Sequence, residues 1–174
     1  MPRASWTLLA LAAVSILGSC AAPPKDSDAD LLVDVKYGAH TRLFSQGYEI
    51  RVYNNLVAVF TGTRNVNTSG THSYPISREQ YEATLRLVKN SGLGRSEPPP
   101  PNPYFGANGQ VTTRLDGITT TTFVGDTNLK VFLVFRKTLE DILGIRAYRC
   151  PYEAGGLELC ALNDEFEEKL LTTN

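Results

Sequence analysis

The chain has 174 residues, with 17 Lys and Arg against 18 Asp and Glu, which gives a formal charge of −1. Neutralising phosphates needs a surplus of cations, so this balance excludes nucleic acid binding as the default function. Hydrophobic residues at 42% and charged residues at 20% indicate a globular protein, and the length allows one domain or two small ones.

Residues 1–19 are predicted to be an export signal. Arg3 supplies a positive charge, and residues 6–17 form a mostly apolar run that is too short to cross roughly 30 Å of hydrocarbon as a helix. The stretch Leu17-Gly18-Ser19-Cys20 resembles the lipobox of bacterial lipoproteins. This resemblance implies cleavage before Cys20 and acylation of that residue. The alternative is an ordinary secretory signal cleaved near Ala21 or Ala22.

Residues 20–30 are small and polar with two prolines, a composition typical of a flexible tether. A tether after a lipidated Cys20 predicts a protein attached to the membrane through its N-terminal lipid. Ala21 stands where lipoproteins retained at the inner membrane tend to carry aspartate. The expected location is therefore the bacterial cell envelope, at the outer membrane and facing the periplasm.

The sequence pattern of the first half of the domain predicts strands. Residues 31–37 form one candidate strand, and residues 48–52 alternate apolar and charged side chains, which predicts one buried and one solvated face. Asn54-Asn55 then predicts a tight turn into a returning strand over residues 56–61. A further short strand is expected over residues 70–74.

A helix is predicted after Ser77, because Ser77 and Gln80 fit the capping box. Tyr81, Leu85 and Val88 share one face of this helix, which is expected to end at residues 90–92. An extended proline-rich segment follows. It is a candidate interaction loop, or else a spacer whose aromatic side chains pack into the core; its residues are Pro98, Pro99, Pro100, Pro101, Pro103, Tyr104 and Phe105.

The second half predicts another hairpin and another helix. Residues 110–115 and 118–124 flank Asp116-Gly117, a strong turn signal. A helix over residues 129–143 is expected to end at Gly144. Its predicted apolar stripe consists of Val131, Phe135, Leu139, Ile142 and Leu143. A short acidic helix capped by Asn163 is predicted over residues 164–171.

This order of elements predicts an α+β fold, in which an antiparallel sheet of hairpins carries two main helices on one face of a single domain. The domain is expected to span residues 31–146. Residues 147–174 form a C-terminal extension, which a disulfide between Cys150 and Cys160 would close in an oxidising compartment. A metal site at these cysteines would lack further ligands, since His40 and His72 lie far away in sequence.

The first hairpin resembles an uncharacterised family of bacterial exported proteins with a Cys-x₃-Cys-Pro-x-Tyr segment. Residues 48–62 match it without gaps; the matching residues are Tyr48, Val52, Tyr53, Val59, Phe60 and Gly62. Thr41 and Ser45 replace the two family cysteines, and Leu56 stands where the turn glycine is expected. The resemblance supports the fold and implies no activity.

No nucleophile elbow, zinc-protease motif or phosphate loop occurs in the sequence, so no catalytic, cofactor or metal residue is predicted. Glu140 and Asp141 are interpreted as solvated residues at a helix end. The leading hypothesis is a lipid-anchored, non-enzymatic binding domain with a possible protein partner in the envelope and no nucleic acid. The alternative is an envelope hydrolase that uses His40 or His72 as its base.

Overall fold

The computed structural model describes residues 31–38, 46–93, 109–125 and 127–149, and the single residues 165, 168, 169 and 172. Six strands and three helices occupy the continuous ranges. They are β1 (Leu31–Gly38), β2 (Gly47–Tyr53), β3 (Val57–Arg64), β4 (Gly70–Pro75), α1 (Arg78–Asn90), β5 (Gly109–Leu115), β6 (Ile118–Val124), α2 (Leu129–Leu143) and α3 (Arg146–Arg149). The four single residues are helical, and Glu165 and Lys169 form an exposed ion pair.

The six strands form one antiparallel sheet in the order β4-β3-β2-β1-β5-β6. Strand β1 lies in the middle and joins the two hairpins, because it pairs with β2 on one side and with β5 on the other. Val35 stands opposite Ile50 and Val111, so the apolar positions of three strands lie in register. This arrangement confirms the predicted α+β domain with its sheet of hairpins.

The hydrophobic core lies between the sheet and the helices. Alternate residues of each strand point to this face, as the two-residue period of a strand requires, and they meet the buried side of α2. Ile50, Phe60, Phe132 and Leu139 are all inaccessible to solvent. Helix α1 lies beside α2, and the side-chain amide of Gln80 donates a hydrogen bond to the Ile142 carbonyl at 2.8 Å.

The two tight turns differ in how they reverse the chain. Asp116 and Gly117 both have left-handed backbone angles, with φ of 52° and 78°, which confirms the predicted turn. In the first hairpin Asn54 and Asn55 form the turn, as predicted, but Leu56 has a left-handed backbone angle, with φ of 62°, so that β3 begins at Val57, one residue later than expected. A left-handed residue at the end of a three-residue hairpin loop is a common geometry; the Leu56 amide donates to the Tyr53 carbonyl at 3.3 Å, and the Leu56 carbonyl accepts from the Ile76 amide at 2.9 Å.

Helix α1 begins with the predicted capping box. The Ser77 hydroxyl accepts from the Gln80 amide at 3.1 Å, and the Ser77 amide donates to the Gln80 side chain at 2.9 Å. Tyr81, Leu85 and Val88 pack against the core as expected.

Helix α2 has its predicted limits, and Gly144 ends it in the left-handed region with φ of 67°. Its buried face differs from the predicted stripe in two ways. Val131 is 47% exposed, because α1 ends beside it and leaves a groove open there. Two charged residues, Arg136 and Glu140, are buried in its place, so the prediction that Glu140 is solvated is wrong.

Helix α3 was not expected from the sequence. It follows Ile145 directly, and its carbonyls accept hydrogen bonds from the loop between β3 and β4: Thr68 donates to Tyr148 at 3.0 Å and Asn67 donates to Arg149 at 3.3 Å. Arg149 is buried. This short helix therefore fastens the β3–β4 loop to the domain.

Candidate functional site

An apolar groove lies between the end of α1 and the beginning of α2. Its volume is about 530 Å³, which is in the range of small-molecule sites. Leu87 supplies one wall, and Val131, Val134 and Phe135 supply the other. This is a concave, mostly apolar surface.

Helical spacing explains why the groove is open. Val131, Val134 and Phe135 lie on adjoining sides of α2, so that Phe135 faces the core while the two valines face outward. Val131 is 47% exposed and Val134 is 52% exposed. Apart from Ile118 at the β5–β6 turn, they are the large hydrophobic side chains most exposed in the described part of the chain. Exposed apolar side chains that line a concavity are typical of a binding site.

Polar groups border the groove at one end. Asn90 and Ser91 come from the end of α1, and Lys130 comes from the first turn of α2. The Ser91 hydroxyl is engaged within its own helix end, where it donates to the Val88 carbonyl at 3.0 Å. Lys130 is exposed and is the charged residue that lines the groove.

A second polar cluster lies on the face of the sheet opposite the helices. Its members are Asp34, Lys36, Glu49 and Arg51, which are neighbours on β1 and β2. Lys36 Nζ is 3.6 Å from Asp34 Oδ2 and 3.8 Å from Glu49 Oε1, and Arg51 Nε is 3.8 Å from the same Glu49 oxygen. The side chain of Asp34 is only 13% exposed.

Burial and, to a smaller extent, the neighbouring Glu49 carboxylate raise the pKa of the Asp34 carboxyl from an ordinary value of 3.8 to about 7, against the opposing effect of Lys36 and Arg51. The folded state therefore holds this proton more tightly than the unfolded state does. The stability that results is fully present below pH 4 and is lost as the pH rises through 7.

Replacement of Asp34 by Asn should remove this pH dependence, because an amide stays neutral and can donate to Glu49. At pH 8 the variant should be more stable than the parent by about 1–2 kcal/mol, allowing for solvent screening, and at pH 4 the two should be alike. Urea unfolding at pH 4, 6 and 8 measures the difference. Stability curves that run parallel over this range would contradict the role given to Asp34.

A third cluster is buried beneath α2. Glu140 pairs through one oxygen with Arg136 at 3.0 Å and through the other with Arg149 at 3.1 Å. The Tyr48 hydroxyl donates to Glu140 and accepts from Arg136. Burial raises the pKa of this tyrosine well above its ordinary value, so the hydroxyl keeps its proton.

The buried cluster also holds chain segments together. Gln46 accepts from the Arg149 guanidinium and donates to the Arg149 carbonyl, both at 3.1 Å, and Arg136 lies 4.6 Å over the ring of Tyr37. The side chains of Arg136, Glu140 and Arg149 are 4% exposed or less. A solvent-borne ligand cannot reach them, so this cluster serves the fold.

His72, one of the two candidate bases, lies on strand β4 and is exposed. Its Nε2 donates to the Ser69 carbonyl at 2.9 Å, and its ring lies 6.2 Å from that of Tyr148. Tyr148 also stacks against Tyr74, with ring centroids 5.8 Å apart. These contacts place His72 at the edge of an aromatic cluster, and a catalytic role for it stays a prediction.

The other residues singled out in the sequence lie outside the described residues: His40, Cys20, Cys150, Cys160, and the proline-rich segment of Pro98, Pro99, Pro100, Pro101, Pro103, Tyr104 and Phe105. Among the residues that the structure describes, no group of three or more His, Cys, Asp or Glu is arranged to hold a metal ion. In the same ranges no helix combines the length and apolar character needed to cross a membrane.

The groove was missed in the sequence because Val131 fits the apolar stripe of α2 and was expected in the core. The signal that could have found it is Val134, an apolar residue between Leu133 and Phe135 that lies off that stripe. No protein family model matches the chain, and no curated protein matches it at a significant level.

Proposed function

We propose that the protein is a lipid-anchored component of the bacterial cell envelope whose α+β domain acts as a non-enzymatic binding module. The lipobox-like stretch of residues 17–20 and the polar tether after it support the location. Intact mass of the chain extracted from membranes should show a triacylated N-terminal Cys20. An unmodified chain that begins at residue 21 or 23 would contradict the anchor.

The proposed binding surface is the groove between α1 and α2. It is a small-molecule-sized concavity with two half-exposed valines, whereas the buried charged cluster is closed to solvent. Binding by such a surface needs apolar contact and no chemical step. The groove therefore fits a module that holds an apolar group near the membrane to which it is tethered.

The binding part is tested with the full chain in nanodiscs of neutral phospholipid and a photoreactive, alkyne-tagged hexadecanol as probe. The probe should label peptides that contain residues 87–91 and 130–135, and an excess of unlabelled hexadecanol should compete. Val134→Asp should reduce this labelling about tenfold, because it places a carboxylate against the apolar wall.

The matched control is Ile118→Asp, which changes a side chain that is 67% exposed at the β5–β6 turn and does not line the groove. It should leave the labelling of residues 130–135 unchanged. Circular dichroism and thermal melting should show that both variants fold. Equal labelling of the parent and Val134→Asp, or adducts spread over the whole domain, would refute the groove as a binding surface.

A further inference from the structure

Strand β6 forms one edge of the sheet, and it lacks the features that commonly prevent an edge from pairing with another chain. In the described part of the chain, no strand lies along its outer side. It contains no proline and no charged residue, and its register with β5 runs over all seven residues without a bulge. Proline, lysine and bulges are the usual means of protecting an edge. The opposite edge of the sheet, β4, ends in Pro75.

The hairpin turn determines which backbone groups of β6 point outward. Leu115 and Ile118 flank a two-residue turn, so they exchange backbone hydrogen bonds, and paired residues alternate from there. The even-numbered residues of β6 therefore bond to β5. Thr119, Thr121 and Phe123 direct their backbone N–H and C=O groups away from it.

The contacts at the end of β6 agree with this alternation. The Phe123 carbonyl accepts from the Asn128 side chain at 3.0 Å, and the Gly125 amide donates to the same side chain at 2.9 Å. Asn128 thus covers one end of the outward row, and the turn bounds the other end. Within the described ranges, the backbone N–H and C=O groups of Thr119 and Thr121 make no hydrogen bond. The open stretch of the edge is therefore short and has defined limits.

An identical strand complements this open stretch. Thr119 and Thr121 each offer a donor and an acceptor, and antiparallel pairing of two copies about Thr120 places Thr119 of one copy opposite Thr121 of the other. Each such pair exchanges two backbone hydrogen bonds, so that all outward groups of these threonines are paired. Because β6 carries no charge, two copies do not repel each other along the strand.

We propose that β6 pairs with β6 of a second copy of this chain, so that the two sheets join into one. The two-fold axis passes beside Thr120 and is perpendicular to the sheet, which leaves the helices and grooves of both copies on the same face. One strand edge is a small contact compared with the about 800 Å² that each partner buries in a standard interface, so the dimer forms as the concentration rises. This inference goes beyond the proposed function and does not depend on a ligand in the groove.

The variant Thr121→Pro tests the pairing, since it removes an N–H that points outward and no hydrogen bond within the hairpin. Sedimentation velocity of the full chain in detergent should show a monomer–dimer equilibrium for the parent. Thr121→Pro should weaken the dimer about tenfold or more, because each of the two symmetry-related pairs loses one hydrogen bond. The matched control is Thr121→Val, which keeps the N–H and loses only the hydroxyl that contacts Thr112 Oγ1 at 3.1 Å. It should dimerise as the parent does.

The variant Thr120→Cys tests the register. Two copies of residue 120 would face each other at a closely spaced pair, with Cα atoms about 4.5 Å apart, which is within the range of a disulfide. Mild oxidation should therefore link Thr120→Cys into dimers well above the level of the parent, which reports any linkage through the natural cysteines. Thr119→Cys is the control: residue 119 is more exposed, but its two copies lie out of register and should link no better than the parent.

The outcomes decide the proposal. A parent that stays monomeric at every concentration would overturn it and leave an extended segment of another protein as the partner of this edge. If Thr121→Pro dimerises as Thr121→Val does, or if Thr119→Cys links as readily as Thr120→Cys, the copies meet through another surface. Circular dichroism should show that the variants fold. If Thr121→Pro does not, Thr119→Lys takes its place, because a charge on the edge should also weaken the dimer.

Discussion

Replacing Glu140 by Gln is expected to lower the free energy of unfolding by about 3–5 kcal/mol, as loss of one partner from a buried ion pair does. Glu140 is the carboxylate that faces both Arg136 and Arg149, and all three side chains are almost inaccessible to solvent. The amide would remove the negative charge that Glu140 places between two buried guanidinium groups. Urea unfolding of the full chain, followed by circular dichroism, measures the loss.

The neighbouring residue provides the control. Asp141→Asn makes the same chemical change one position further along α2, at an exposed site, and should change stability by less than about 0.5 kcal/mol. Adding Arg136→Met to Glu140→Gln should cost less than the sum of the two single changes, because the two residues interact directly with each other. If Glu140→Gln and Asp141→Asn are equally mild, the cluster does not hold the fold together.

Replacing Gly62 by Ala should lower the free energy of unfolding by about 3 kcal/mol, nearly as much as Glu140→Gln does. This is at the upper end of what overpacking costs. A Cβ at this position would collide with the Thr68 backbone carbonyl and would stand 2.6 Å from Val66 Cγ2. Thr68 is held in place by its hydrogen bond to Tyr148. The methyl group can therefore be accommodated only if the β3–β4 loop leaves α3.

Gly125→Ala is the matched control, since a Cβ there meets nothing within 4 Å and Gly125 lacks a left-handed backbone angle. It should be neutral or slightly stabilising. Hydrogen exchange should also distinguish the two variants: in Gly62→Ala the amides of Asn67 and Thr68 should exchange faster. Unchanged protection there together with unchanged stability would contradict the packing described for Gly62.

Local signals in the sequence were enough to predict most of the framework. The capping box at Ser77, the Asp116-Gly117 turn and the limits of α2 all depend on residues close together in the chain, and the structure confirms them. The alternation of apolar and charged residues also predicted strand β2. What these signals share is that a few neighbouring residues determine the backbone.

Features that depend on distant residues were not predictable in this way. Glu140 looks like a solvated helix residue until Arg149 and Tyr48 are brought beside it, nine and 92 positions away. Leu56 takes a left-handed conformation directly after the Asn54-Asn55 turn, and its carbonyl accepts from the amide of Ile76, a residue beyond the next two strands. At Glu140 tertiary contacts thus overrode the local preference for solvent.

The groove was hidden for a related reason. The helical period shows which side chains share a face, but it does not show where the neighbouring helix ends. Helix α1 ends at Asn90, so Val131 and Val134 of α2 have no side chain of α1 packed over them beyond that point. The exposed apolar wall follows from the relative lengths and positions of two helices, which no single segment of sequence specifies.

We propose that the protein binds an apolar ligand on the helical face, in the groove at the beginning of α2, and not on the charged cluster of the opposite face. Amide hydrogen exchange of the full chain in nanodiscs, with and without hexadecanol, tests this most directly. With hexadecanol, peptides covering residues 87–93 and 129–135 should exchange more slowly, and residues 34–36 and 49–51 should show no change. Protection over β1 and β2, or no protection in α1 and α2, would contradict it.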